Sequence, residues 1–318
     1  MVKILVLGAT GFLGLPIALS LRRAGHQVYG LARTAEKVAL LAKHEIQAVH
    51  GSVDDSEYLR VIESENIDVV VDAAAVNQGG SKILEDVLMI GKARLDKGSG
   101  RLPKLGFVYV SGIWVHGTSN LMVNDLDLVG IEQSIAPPSA MVAWRPGHER
   151  RILETIDILN PVIIRPSMMY GGNEWVFAQY FSLLVEAVKK KKPSVSLPID
   201  ASTMLGLSHV EDVAAGIHQA VEKIELVTSG NVYPVFDFSS TYESAQSLLE
   251  AAARALGYTG KILFVGPGDN IFAEAVNTSV KASSIRAKNL LGWNPKMPSM
   301  TEDIHLHVAS WLASSGGK

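Results

Sequence analysis

Apolar residues come in short runs, separated by stretches where they recur every three or four positions. VKILVL at 2–7 is an uninterrupted run of strand length, the pattern of a strand buried on both faces. Leu13, Ile17 and Leu21 then share one helical face, Arg22 and Arg23 lie near its end, and Gly25 supplies the stop. The alternation continues with strands expected at 27–31, 46–50, 67–75, 106–112 and 161–167. Helices are expected through Val38 and Leu41, at 56–65 and at 81–94. Such repeated strand–helix–strand spacing selects an α/β fold, a doubly wound parallel sheet of Rossmann type covered on both faces. Ligands of such sheets bind beyond the carboxyl ends of the strands. That places residues 8–14, 32–34, 73–77, 111–117 and 165–171 along one rim.

Beyond residue 171 the alternation loosens. A helix is expected near 174–190, a short strand around 195–199, a helix from Val210 to about Ile224, and a strand over GNVYPVF at 230–236. An amphipathic helix at 244–256 and a last helix at 301–314 complete the pattern. The expected organisation is a dinucleotide-binding domain over 1–165, with segments near 203–236 returning to it. A smaller substrate-binding lobe follows from 166–202 and 237–300, then a C-terminal helix in 301–318.

Composition narrows the class. The chain has 318 residues, 47% hydrophobic and 19% charged, which fits a compact core and excludes disorder. Its formal net charge of -3 gives no general pull toward nucleic acid or an anionic membrane, so neither is expected as a partner. The absence of Cys removes disulfides, thiolate metal sites and cysteine nucleophiles. The nine histidines show no HxxxH or HExxH spacing, and no metal is expected. Gly8, Gly11 and Gly14 punctuate the apolar N-terminal run, which is therefore not read as a signal peptide, and the expected location is cytoplasmic.

GATGFLG at 8–14 follows the first strand and opens the first helix. In this setting Gly8 permits the tight turn, Gly11 lets backbone approach a pyrophosphate, and Gly14 permits close helix–strand packing. Thr10, Phe12 and Leu13 complete the loop, whose N–H groups and helix start would hold the phosphates. A packing-only glycine turn would not require three glycines at a buried strand end. The second strand ends in GLAR, with Ala32 and Arg33 where an NAD site usually offers an acid. A guanidinium there suits a 2′-phosphate, so NADP(H) is favoured over NAD(H), with NAD still allowed.

With that loop in place, the chain resembles the extended short-chain dehydrogenase/reductase superfamily, in its epimerase/dehydratase and dihydroflavonol-reductase-like branch. The resemblance rests on VLGATGFLG at 6–14, VVDAAAV at 70–76, YVSGIWVHG at 109–117, IIRPSMMYGG at 163–172, SHVEDVAAGIHQAV at 208–221, GNVYPV at 230–235 and LLGWNP at 290–295. It implies that Ala73, Ala74 and Ala75 line the cofactor's ribose and phosphate region. Ser52 and Val53 would then lie by the adenine, and Pro166 and Ser167 beside the nicotinamide. Asp212 would steady the free N–H groups at a helix start, and a homodimer is the family's usual state.

The same resemblance exposes a loss. Members that move hydride use a Tyr-xxx-Lys pair and a Ser or Thr, because nearby positive charge lowers the Tyr pKa enough for proton exchange with the substrate oxygen. Here Ser111 matches the first serine of the usual SSxxVYG pattern, Trp114 falls on the catalytic Ser/Thr, and His116 replaces the tyrosine before glycine. In AWRPGHERRILE at 143–154, Trp144 falls on the catalytic Tyr and His148 on the Lys, and no YxxxK occurs anywhere. The candidate catalytic groups that remain are His148, His116 and Ser111. Pro146 and Gly147 suit a helix start, and Glu149, Arg150 and Arg151 are expected to face solvent.

Trp114, Trp144, Met168, Met169 and Tyr170 would form the substrate pocket, while Trp175, Phe177, Tyr180 and Phe181 are divided between pocket and lobe packing. The expected function is an atypical NADP(H)-dependent oxidoreductase for a small, mostly apolar carbonyl or enone metabolite. A non-redox isomerase or cyclase in the same pocket, and a non-enzymatic nucleotide-binding redox sensor or scaffold, stay open.

Overall fold

A computed structural model describes residues 1–74, 80–97, 103–172, 176–230 and 232–314. Ala75 and Trp175, singled out from the sequence, lie outside the described residues. The first half alternates as its hydrophobic pattern dictates: β1 (Lys3–Leu7), α1 (Gly14–Arg23), β2 (Gln27–Ala32), α2 (Ala35–Lys43), β3 (Gln47–His50), α3 (Glu57–Ser64), β4 (Val69–Asp72), α4 (Gly80–Lys97) and β5 (Leu105–Val110). Next come β6 (Met122–Asn124), α5 (Arg145–Leu153), β7 (Leu159–Pro166), β8 (Met168–Tyr170), α6 (Ala178–Lys189), β9 (Ser194–Leu197), β10 (Met204–His209), α7 (Val210–Glu222) and α8 (Ile224–Thr228). The chain ends with β11 (Val235–Phe238), β12 (Thr241–Ser244), α9 (Ala245–Ala255), β13 (Lys261–Phe264), α10 (Ile271–Val276), β14 (Lys281–Ser283) and α11 (Ile304–Ser314).

A seven-stranded sheet runs in the order β11-β7-β5-β4-β1-β2-β3, with every pairing parallel. Side chains alternate across β1. Ile4 and Val6 join a core with Ile17 of α1 and Ile217 of α7, while Leu5 and Leu7 join one with Tyr58 of α3 and Val87 of α4. Both faces of the strand are therefore dry, which explains why it reads as an unbroken apolar run. The strand order reverses between β1 and β4, the crevice where such sheets place their ligands.

A three-stranded sheet, β12-β10-β8, begins the smaller lobe. Its core takes up Tyr170, Phe177, Tyr180 and Phe181, all fully buried, so lobe packing claims these aromatics. The strand expected over 230–236 starts only at Val235, because Pro234 has no N–H to add to a ladder; its carbonyl instead accepts the Ile163 N–H at 2.8 Å. β11 then carries the chain back to the large sheet as far as Phe238. Among the described residues, no helix is long and apolar enough to cross a membrane.

Candidate active site: a groove from the glycine loop to two tryptophans

A groove of about 710 Å³ opens at the carboxyl ends of the strands, and the glycine loop forms one end of it. Gly8 has φ +78°, a left-handed conformation that favours glycine, and a Cβ added there would lie 2.5 Å from the Ala73 carbonyl oxygen. A Cβ on Gly14 would lie 2.0 Å from the Gly8 carbonyl oxygen. Gly14 thus lines no groove: it lets α1 pack against the turn, while Gly8, Thr10, Gly11, Phe12 and Leu13 face the space. The Gly11 N–H closes the turn on the Gly8 carbonyl at 2.8 Å. No side chain caps the start of α1 and no acid stands in its first turn, so its positive end stays available to an anion. A backbone turn closed this tightly beside a free helix start fits a dinucleotide diphosphate.

Arg33, Lys37, Ser52, Val53 and Asp54 line the next stretch, with Ala73 and Ala74 opposite. Arg33 is exposed and Lys37 stands one helical turn further along the chain, in α2, which Thr34 caps by accepting the Lys37 N–H at 3.3 Å. Lys37 stands four residues beyond Arg33 on the helix that the pattern predicts, and that spacing is its one signal in the sequence. Asp54 accepts a hydrogen bond from the Ser52 hydroxyl at 3.3 Å.

The far end is built from Ser111, Gly112, Ile113, Trp114, Met141, Val142, Trp144, Arg145, Pro166, Ser167, Met168 and Met169. Met141 and Val142 carry no motif, and only the fold brings them here. α5 starts at Arg145 with Pro146 in its first turn, where a proline's missing N–H costs nothing. Trp144 therefore sits at the helix mouth and reaches the groove.

His148 does not. It is 5% exposed, packed edge-on against Tyr109 with ring centroids 4.9 Å apart, and burial drives its pKa down to about 4. It stands behind the wall, and its expected part as a base is withdrawn. His116 is also displaced from the groove: it is 3% exposed, and its Nε2 meets the Asp237 carboxylate at 2.9 Å. Ser111 does line the groove, but its hydroxyl donates to Glu149 at 2.5 Å.

Glu149 corrects another expectation. It is buried, not solvent-facing, and its carboxylate clamps Arg165 with contacts of 2.6 and 3.1 Å. Burial works against the Arg165 charge, but Glu149 and Asp237 outweigh it and hold the guanidinium in its cationic form. A buried chain of polar groups thus runs from Ser111 through Glu149, Arg165 and Asp237 to His116. A helical position four residues before Leu153 gave no sign of this, because the partner Arg165 lies on β7.

Two further expectations change. Tyr170 is not a pocket residue: it is fully buried in the smaller lobe, and its hydroxyl donates to the Pro298 carbonyl at 2.5 Å. Asp212 does not steady its own helix. It accepts the N–H groups of Lys296 and Met297 at 2.9 and 3.0 Å, and His209 caps α7 by accepting the Glu211 N–H. Among the described residues, His26, His218 and Glu222 bring ligand-type atoms within 4.8 Å of one another. His26 Nδ1 accepts the Val2 N–H at 3.3 Å, which leaves its proton on the Nε2 that a metal would need. The trio also lies at the opposite ends of β1 and β2 from the groove.

Comparison with known proteins places the architecture. Residues 4–92 match the NAD dependent epimerase/dehydratase family. A curated relative, the chloroplast stem-loop binding protein of 41 kDa b from Arabidopsis thaliana, is 26% identical over 92% of this chain and 75% of its own. Among solved structures, dTDP-glucose 4,6-dehydratase from Bacillus anthracis in complex with NAD superposes with a TM-score of 0.71. It is 19% identical, covering 98% of this chain and 97% of that one. UDP-glucuronic acid 4-epimerase from Bacillus cereus, in complex with UDP-glucuronic acid and NAD, gives 0.68 at 16% identity, covering 97% and 98%. In its first strands and glycine loop this chain is similar to the NAD dependent epimerase/dehydratase family, and along its whole length it shares the fold of these solved enzymes.

Proposed function

We propose that the groove binds a nicotinamide dinucleotide and presents it to a small, mostly apolar carbonyl or enone metabolite. The glycine cradle carries this reading, because backbone approach at Gly8 and Gly11 and an uncapped helix start serve a diphosphate and nothing else visible. Two of the solved relatives were captured with NAD, which supports the cofactor class. Arg33 and Lys37, two cations at the end of the groove where the second ribose would lie, favour NADP(H) over NAD(H).

The metabolite end is mostly apolar apart from Arg145, and among its described lining residues none is an acid placed as the usual proton donor. Trp114 and Trp144 have no ionisable hydroxyl, and the Ser111 hydroxyl is committed to Glu149. A nicotinamide held by this groove would supply hydride chemistry, and the proton for it would then come from water or from the substrate. The plant relative's name invites a stem-loop-binding reading. Against it stand the net charge of -3 and a lysine run in which Lys190 and Lys192 each pair with Glu186 at 3.0 Å. Titration of the purified protein with NADPH and NADH, followed by ligand fluorescence, tests the proposal. Saturable binding tighter for NADPH is expected, and no saturable uptake of either nucleotide overturns it.

A further inference from the structure

We infer that the metabolite carries a carboxylate and that Arg145, beside the two groove tryptophans, is the group that receives it. The inference rests on the nucleotide reading above, which assigns the glycine loop to the diphosphate and leaves the α5 end to the metabolite.

Arg145 is half-buried at that end and is its single cation among the described lining residues. Its guanidinium lies over the Trp144 ring, 5.4 Å from the centroid, which fixes the plane of the fork. Among the described residues, its one hydrogen bond is a 3.5 Å contact from Nη1 to the Val110 carbonyl, at the limit of bonding length. Among the described residues, its Nε is buried with no hydrogen-bond partner and no carboxylate stands within ion-pair distance of it.

The other enclosed arginines are all matched: Arg165 to Glu149 at 2.6 Å, Arg286 to Asp125 at 2.8 Å, and Arg94 to Asp68 at 3.7 Å. Asp72 is the acid that senses the Arg145 charge, yet it spends itself on the Ala74 N–H at 3.1 Å. A half-buried guanidinium whose nearby carboxylate is turned to a backbone N–H gains from an anion that meets it directly.

Trp114 lines the same stretch of groove, and among the described residues its buried indole N–H has no partner. A cation set among Ile113, Trp114, Met141, Val142 and Met168 describes a pocket for a small apolar acid: an alkyl or aryl body with a carboxylate held by the fork. The nucleotide's own phosphates are served elsewhere, by the loop at Gly8 and Gly11 and by Arg33 with Lys37. Arg145 is therefore assigned to specificity and not to the cofactor.

The test uses trans-cinnamate and its neutral isostere cinnamamide, titrated by quenching of tryptophan fluorescence, with and without saturating NADP⁺. Wild-type protein is expected to favour the carboxylate by about 10- to 100-fold, the scale of a charge-assisted pair in a partly desolvated site. Arg145→Gln is expected to abolish that preference while leaving NADP⁺ affinity within about threefold, and Arg145→Lys to keep part of it. Equal binding of the two probes by wild-type protein overturns the inference and needs no variant to show it. So does a loss of NADP⁺ affinity in Arg145→Gln as steep as the loss of cinnamate, which would make Arg145 a cofactor residue. Failure of the nucleotide reading looks different: no NADP⁺ saturation in wild-type protein, whatever the carboxylate does.

Discussion

Trp144 and His148 lie one helical turn apart with ring centroids at 5.9 Å, yet only Trp144 faces the groove. The sequence resemblance aligns these positions with the tyrosine and lysine of hydride-moving members. Here the first forms a wall of the pocket, and the second is packed behind it. His148 adds no proton chemistry to the groove, so its substitution is expected to show in stability and not in ligand binding.

The pH dependence of that stability follows from the direction of the shift. Burial lowers the His148 pKa from 6.5 to about 4, so the unfolded chain binds its proton first on acidification. The contribution is intact above about 6.5 and is lost as pH falls toward 4. His148→Phe is expected to flatten this part of the urea-midpoint profile between pH 7.5 and 4.5. A profile parallel to wild type would show that His148 stays solvated.

Asp72 has the opposite sign. Burial raises its pKa to about 6, with the Ala74 N–H and then the Arg145 charge pulling back. Its folded form gains a proton before the unfolded one, so this stabilisation is full below about 4 and disappears as pH rises through about 6. Asp72→Asn is expected to gain on wild type at pH 8 relative to its standing at pH 4.5, measured by the same denaturant midpoints. An unchanged difference at the two pH values would contradict the shift.

Gly14→Ala forces a methyl group into the Gly8 carbonyl at 2.0 Å. The turn must open, so NADPH binding by titration should weaken by at least about tenfold, corresponding to ~1.4 kcal/mol. Retention of wild-type affinity would mean that the cradle is not the diphosphate site.

Arg33→Ala should weaken NADPH far more than NADH, since a 2′-phosphate is what the guanidinium would hold. Equal losses for the two nucleotides, read from parallel titrations, would remove that role.

Glu149→Gln removes the nearer of the two carboxylates that face buried Arg165, leaving Asp237 at 3.8 Å, and is expected to cost about 3 kcal/mol by chemical denaturation. Ser111→Ala removes only one hydroxyl donor to the same carboxylate and should cost about 1 kcal/mol. Comparable costs for both would show that the Glu149–Arg165 pair is not what secures α5 to β7.

By itself, the sequence determined the parallel sheet, the order of its first elements and the glycine cradle. These are local matters: a run of strand length, a helical stripe, and a turn that tolerates no side chain each leave their mark within a few residues. It also determined that no YxxxK string is present, which is a matter of residue identity. Only the tertiary structure decided which side chains face the groove. Glu149 looked like a surface residue because its partner Arg165 arrives from β7. Tyr170 looked like a pocket residue because the main chain leaves the large sheet directly after Pro166 and turns its ring into a second core. Met141, Lys37 and Arg145 meet one groove from separate segments, and His148 misses it by facing the other way around α5. Burial and pairing between distant segments carry no local periodicity, so their assignment waits on the folded chain.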